Sequence, residues 1–292
     1  MMKKQKKDIQ IRDPYVHVED SVYYLYGTTD VNCWKGESTG FDVYTSEDLE
    51  NFKFHGKAFT PPENFWGTQN FWAPELHKYE ERYYLFASFK SPERRRATVI
   101  LASDSLLGPF LPWGDESITP PDWECLDGTL YVDDDGKPWV VFCHEWVQEG
   151  GGTVCARRLK EDLSGAEGDA VTLFSASDAV WSKKIRHSSG IEGYVTDGPF
   201  LHRMQNGSLL MLWSSHGPSG YAIGQAISTN GISGPWEQST EPLFSGDGGH
   251  GMIFRDLSGI LRLSIHSPNN TPDERPIFLP VEENGNNLQI KK

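Results

Sequence analysis

Short stretches of alternating apolar and polar residues, broken by Asp, Asn and Gly turns, run through the whole chain. DPYVHVEDSVYYLYGTTD reads as a strand, a tight polar turn and an aromatic strand. The same unit returns as APELHKYEERYYLFASF, DGTLYVDDDGKPWVVFCHE, DGPFLHRMQNGSLLMLWSS and HGMIFRDLSGILRLSIHSP. Period-two alternation around such turns predicts a β-hairpin in each case. The segment after each hairpin also repeats. VYTSEDLENFKFHG, VILASDSLLGPFLPWG and IGQAISTNGISGPWEQS share a third strand, a Ser/Asp turn and an aromatic fourth strand, and VCARRLKEDLSGAEG fills that slot in the third unit. No long segment of helical period interrupts the pattern. Four strands per unit, repeated five times at about 55 residues, describe the blades of a propeller. The chain is therefore expected to be all-β, one five-bladed β-propeller with four antiparallel strands per blade, a single domain over 1–292. A β-sandwich is the alternative, and it leaves the repetition unexplained.

Asp13, Trp72, Asp127, Asp197 and His250 serve as markers of the five units. In a propeller the innermost strand of each blade lines the central channel, so its first residues converge at one mouth. Three blades open there with a carboxylate: Asp13 in IRDPYV, Asp127 in ECLDGTLY and Asp197 in YVTDGPFL. Asp before Pro or Gly is a common turn residue. Three at similar blade positions are harder to explain that way. Gathered carboxylates suit glycoside hydrolysis, in which one is ionised to activate water and another is protonated to assist the leaving oxygen. A third negative charge raises the acid's pKa by repulsion. Cation binding is the competing reading of the same cluster.

Composition narrows the classes. Acidic residues outnumber basic ones 41 to 27, giving a net charge of −14, which argues against a dedicated nucleic-acid or anionic-membrane surface. The run Arg94-Arg95-Arg96 is expected to be a solvated turn. No apolar run is long enough to span a membrane. The basic start, MMKKQKKDIQ, is not followed by the apolar stretch of a secretory signal. Cys33, Cys125, Cys143 and Cys155 show no metal or redox spacing and read as unpaired thiols. A cytoplasmic location is expected, unless the chain is a piece of a longer one, in which case secretion stays open. The supply of 10 Trp, 11 Tyr and 15 Phe fits both pleated-sheet packing and sugar binding.

The pieces RDP (Arg12 to Pro14), WAPE (Trp72 to Glu75), LDGTLYVDDDGKPW (Leu126 to Trp139), TDGPFL (Thr196 to Leu201) and GGHGMIF (Gly248 to Phe254) stand in order along the chain. In that order the sequence resembles glycoside hydrolase family 43, whose members are five-bladed and invert anomeric configuration. The resemblance implies that Asp13 is the general base and that Asp127 orients the acid and tunes its pKa. Asp197 falls where the family usually has a general-acid glutamate in a motif like EGPH. Aspartate is one methylene shorter, about 1.5 Å by ordinary bond lengths, so Glu192 in SSGIEGYVTDG is the reserve acid. His250 in GGHG resembles a family histidine that sits in the channel near a cation, often calcium; no other cofactor is expected.

Trp34, Phe71, Trp72, Trp123 and Trp146 are the candidate sugar platforms, and His144, Glu145 and Arg275 are further candidates for the mouth. The expected substrate is a carbohydrate, with no nucleic-acid or membrane partner, and nothing in the sequence sets the oligomeric state. By resemblance, α-L-arabinofuranosidase or arabinan-directed activity comes first and β-xylosidase second. Two alternatives remain. Trp123-Glu124-Cys125 resembles the EC motif of the retaining β-fructosidases of family 32, and the aspartate at 197 is compatible with a non-catalytic glycan-binding propeller.

Overall fold

The computed structural model describes residues 2–291. Five antiparallel sheets are arranged as a five-bladed propeller, each running from the channel outward in chain order, and a separate two-stranded hairpin pairs Ile185–Arg186 with Glu192–Gly193. The innermost strands are Arg12–Glu19, Gln69–Tyr79, Cys125–Val132, Asp197–Arg203 and Gly249–Arg255. Their hairpin partners are Val22–Thr28, Arg82–Ser91, Pro138–His144, Leu209–Gly217 and Leu261–Ser267. A short strand, Lys3–Gln5, adds to the outer edge of blade one. Among the described residues no helix is long and apolar enough to cross a membrane.

Every innermost strand carries a bulge near its start, and the bulges explain the five motifs. Pairing runs through Arg12↔Thr28, Trp72↔Ser88, Leu126↔Cys143, Asp197↔Ser214 and Gly249↔His266, then breaks in each blade. The next residue in each case (Asp13, Ala73, Asp127, Gly198, His250) is left-handed, with φ between 48° and 56°. The one after that is Pro14, Pro74, Gly128, Pro199 or Gly251. A bulge residue drops out of the ladder, so proline's missing N–H costs nothing there. For the four residues other than glycine, left-handed backbone costs about 1–2 kcal/mol each. That cost is offset by a ring of bonds between blades.

Each left-handed N–H reaches the preceding blade: Ala73 to Thr28 Oγ1 at 2.8 Å, Asp127 to Ser88 Oγ at 2.8 Å and His250 to Ser214 Oγ at 2.8 Å. Asp13 closes the circle onto His266 Nδ1 of blade five at 3.2 Å. In blade three the corresponding position is Cys143, a poor acceptor, and Gly198 N–H goes to Asp127 Oδ2 at 3.0 Å instead. The equivalent residues are thus 13, 73, 127, 198 and 250. The markers Trp72 and Asp197 lie one residue too early, so Asp197 stands one step nearer the mouth than Asp13 and Asp127.

Apolar faces of neighbouring blades merge into clusters between blades two and three, three and four, and four and five, with a larger one joining blades one, two and five. Phe71 belongs to the last of these. It is 1% exposed and packs on Phe41, Phe59, Phe65 and Phe89, the Phe89 ring at 4.8 Å. Burying such a side chain contributes about 1.5–3 kcal/mol, and no sugar can reach it. The expectation that Phe71 is a sugar platform is corrected accordingly. The arginine run is not a solvated turn either. It opens the strand Arg94–Ser103, and Arg96 is buried. All four cysteines are buried and unpaired.

Candidate active site

The bulge ring brings Asp13, Asp127, Asp197 and His250 together at one channel mouth. Asp13 is held from several sides. Thr28 donates its hydroxyl to Oδ2 at 2.6 Å, and His250 Nδ1 lies 3.1 Å from Oδ1. The same His250 nitrogen stands 3.6 Å from Asp127 Oδ2, so one imidazole bridges two carboxylates. A second histidine, His266, approaches Asp13 Oδ1 at 3.5 Å. Its Nδ1 accepts the Asp13 N–H, and its Nε2 lies 3.2 Å from Asn269 Oδ1, which also accepts from Arg12 at 2.7 Å. Those partners fix a neutral tautomer with the proton on Nε2.

Electrostatics sort these groups. Burial works against charge on Asp13, but His250, Arg12 and the Thr28 hydrogen bond outweigh it and hold Asp13 below the usual carboxylate range. Burial pushes Asp127 up to about 7, with Asp197 and Asp13 adding repulsion. Asp197 is likewise raised, first by burial and also by Asp13, against the opposing pull of His250 and the Tyr221 hydroxyl. Burial disfavours charge on His250, yet Asp13 and Asp127 overcome it and raise the imidazole toward its protonated form. His266 is pushed down to about 3 by burial and by Arg12. Its contact with Asp13 is therefore a hydrogen-bond acceptor's, not an ion pair. One carboxylate is kept ionised beside two that favour a proton, the division of labour that acid–base hydrolysis needs.

Glu192 stands apart. It lies in an exposed two-residue hairpin strand, and its ionic contact is Arg186 at 3.6 Å. Glu124 is engaged by Lys90 at 3.2 Å, Arg95 at 3.6 Å and the Arg96 N–H. Neither touches the carboxylate cluster.

Around the mouth, Trp34 is 50% exposed and meets Trp72 edge-on at 5.2 Å. The Arg12 guanidinium lies over Trp34 at 4.8 Å and that of Arg96 over Trp72 at 4.0 Å. Arg96 also donates to Glu145 at 2.6 Å. This wall of alternating rings and guanidinium groups presents both apolar faces and hydrogen-bonding edges, the combination sugars need. Trp123 stacks on His144 at 4.3 Å, and His144 is buried with Nε2 2.9 Å from Gln148. Trp146 is buried. Arg275 braces the backbone of Lys7 and Glu274 and is not part of the wall.

Sequence reading missed Tyr221, His266, Asn269, Thr28 and Arg96. Thr28, Tyr221 and His266 reach the cluster from second or third strands, where no acid flags them. Glu75 of WAPE, read only as part of a motif, is buried, and its Oε2 has no hydrogen-bond partner, His77 Nε2 standing 3.5 Å away. His250 Nε2 is also buried without one. Among the described residues no group of three or more His, Cys, Asp or Glu side chains is placed to hold a metal. A cation at His250 would take one nitrogen from the chain and its other ligands from water.

Residues 8–277 match the profile of the glycosyl hydrolases family 43. A solved endo-arabinase from Bacteroides thetaiotaomicron VPI-5482 superposes with a TM-score of 0.89, at 44% identity over 96% of this chain and 97% of that one. The extracellular endo-alpha-(1->5)-L-arabinanase 1 of Bacillus subtilis is 29% identical over 147 residues, 47% of this chain and 44% of that protein. A xylosidase/arabinosidase of Bacteroides ovatus is 27% identical over 135 residues, 41% and 42% of the two chains. The chain thus matches less than half the length of these two relatives.

Proposed function

The chain belongs to glycosyl hydrolase family 43, and from that premise we propose that it hydrolyses arabinofuranose- or xylose-containing glycans with inversion, arabinan chains first. The observation that carries the reading is the gathering of Asp13, Asp127 and Asp197 around His250 at one mouth, where the surroundings push Asp13 toward its ionised form and Asp127 and Asp197 toward their protonated forms. The likeness to the endo-arabinase across nearly both chains supports arabinan over xylan.

Chemically, Asp13 takes a proton from water as the water attacks the anomeric carbon. Asp197 gives a proton to the departing glycosidic oxygen, and Asp127 repels charge on Asp197. A panel of nitrophenyl pentosides and arabino-oligosaccharides, followed by NMR of the first-formed anomer, tests this. Turnover of the arabinosides with an inverted product is expected. A retained anomer would favour the fructosidase-like alternative, and no turnover with sugar binding would favour a binding propeller.

The channel cation is part of the same proposal. His250 Nε2, buried without a partner, would be its protein ligand, and the ion would supply positive charge to the channel on the side of the imidazole away from the Nδ1 that contacts Asp13 and Asp127. Nε2 has a lone pair only in the neutral imidazole, so the ion and the imidazolium proton are alternatives at that atom. Dialysis against EDTA is expected to lower turnover and added calcium to restore it. Unchanged turnover, with no calcium found by elemental analysis, removes the ion.

A further inference from the structure

We propose that Tyr221 is a positioning residue for the proton donor, fixing the short Asp197 side chain so that one defined oxygen delivers the proton. The inference rests on the acid role given to Asp197 above. Among the described residues, Tyr221 is the one side chain hydrogen-bonded to that carboxyl, its hydroxyl donating to Oδ2 at 2.8 Å. With Oδ2 occupied as an acceptor, Oδ1 is left to carry the proton to the glycosidic oxygen. When the C–O bond breaks, Asp197 becomes the anion, and a hydroxyl bond to an anion is about twice as strong as one to a neutral acid. Tyr221 therefore holds the transition state more tightly than the ground state.

Three features hold the phenol in place. Tyr221 is 2% exposed, and its ring stacks on His266 at 5.7 Å and 23°. Its N–H donates to Asp247 Oδ1 at 3.2 Å, and its carbonyl accepts from Gly248 at 3.0 Å. A Cβ at Gly249 would come within 2.7 Å of Tyr221 Cε1, so the second glycine of GGHG is the slot that admits the ring. His266 in turn accepts the Asp13 N–H. One stacked pair thus ties the donor to the base, and the spacing between them is what an inverting site must keep.

Tyr221→Phe keeps the ring and the stack and removes only the hydroxyl. We expect kcat on arabino-oligosaccharides to fall about 10–100-fold with KM unchanged, the size of effect a misplacement near 1 Å produces. A dinitrophenyl arabinoside, whose leaving group needs no proton, should lose less than about threefold. Asp197→Glu supplies a second test. With Tyr221 intact, the longer arm drives its carboxyl into the hydroxyl and should lower oligosaccharide turnover; in Tyr221→Phe it should raise it. An unchanged ratio between the two substrates in Tyr221→Phe, or Asp197→Glu acting in the same direction in both backgrounds, overturns the inference. Wild-type inactivity on every pentoside would instead overturn the functional reading, and this inference with it.

Discussion

Asp13→Asn is expected to reduce turnover of oligosaccharides and dinitrophenyl pentosides alike, by about 10²–10⁴-fold, the usual contribution of a positioned general base. Both substrates need the water deprotonated, so leaving-group quality offers no escape. The loss should fall on kcat rather than on folding, for a backbone reason. Asp13 sits at φ 54°, and asparagine is among the few residues that tolerate the left-handed region. Its N–H can still reach His266, so the blade-closing bond survives. The wild-type pH profile carries the same signature. Because His250, Arg12 and Thr28 outweigh burial, the Asp13 carboxyl loses its proton below the ordinary aspartate value of about 3.9. The acidic limb of kcat/KM should therefore lie lower than that value. Turnover by Asp13→Asn equal to wild type on either substrate would end the assignment of the base.

The propeller was legible because alternation and hairpin turns are local signals, repeated five times. The register of the site was only partly legible. Aligning Asp197-Gly198 with Asp127-Gly128 looks natural, yet the bulge rule pairs Gly198-Pro199 with Asp13-Pro14 and Ala73-Pro74. A left-handed residue followed by Pro or Gly was in the sequence all along, but the bulge that gives it meaning is a property of the folded sheet. Glu192 is a glutamate close to the motif in sequence, yet it is exposed and its ionic contact is Arg186 rather than the cluster. Phe71 and Trp72 are adjacent and point to opposite faces of one strand, so nearness to a motif says little about which ring meets sugar. Tyr221, His266 and Asn269 act through tautomer and stacking, which depend on contacts between blades and leave no trace in spacing.

The proton donor gives the second large effect, and its signature is selective. Asp197→Asn should lower turnover of oligosaccharides by about 10²–10⁴-fold while a dinitrophenyl pentoside, leaving as a stable anion, loses far less. The asparagine carbonyl can still accept from Tyr221, so packing at the mouth should persist and thermal unfolding should change little. The pH dependence follows from the coupled pair. Burial, with mutual repulsion and the charge on Asp13, raises both Asp127 and Asp197, and Asp127 reaches about 7. A raised carboxyl is protonated below its pKa and charged above it, so the donor is present at acidic pH and lost as pH climbs past its raised pKa. The proton belongs to the pair, and the alkaline limb reports an apparent value for both residues. Wild-type turnover of oligosaccharides should fall along that limb. In Asp197→Asn the limb should flatten when the activated substrate is used, since no donor remains to be lost. Equal slowing of both substrates by Asp197→Asn, with the leaving-group dependence appearing in Glu192→Gln, would move the acid to Glu192 and require the exposed hairpin to fold over the mouth during turnover.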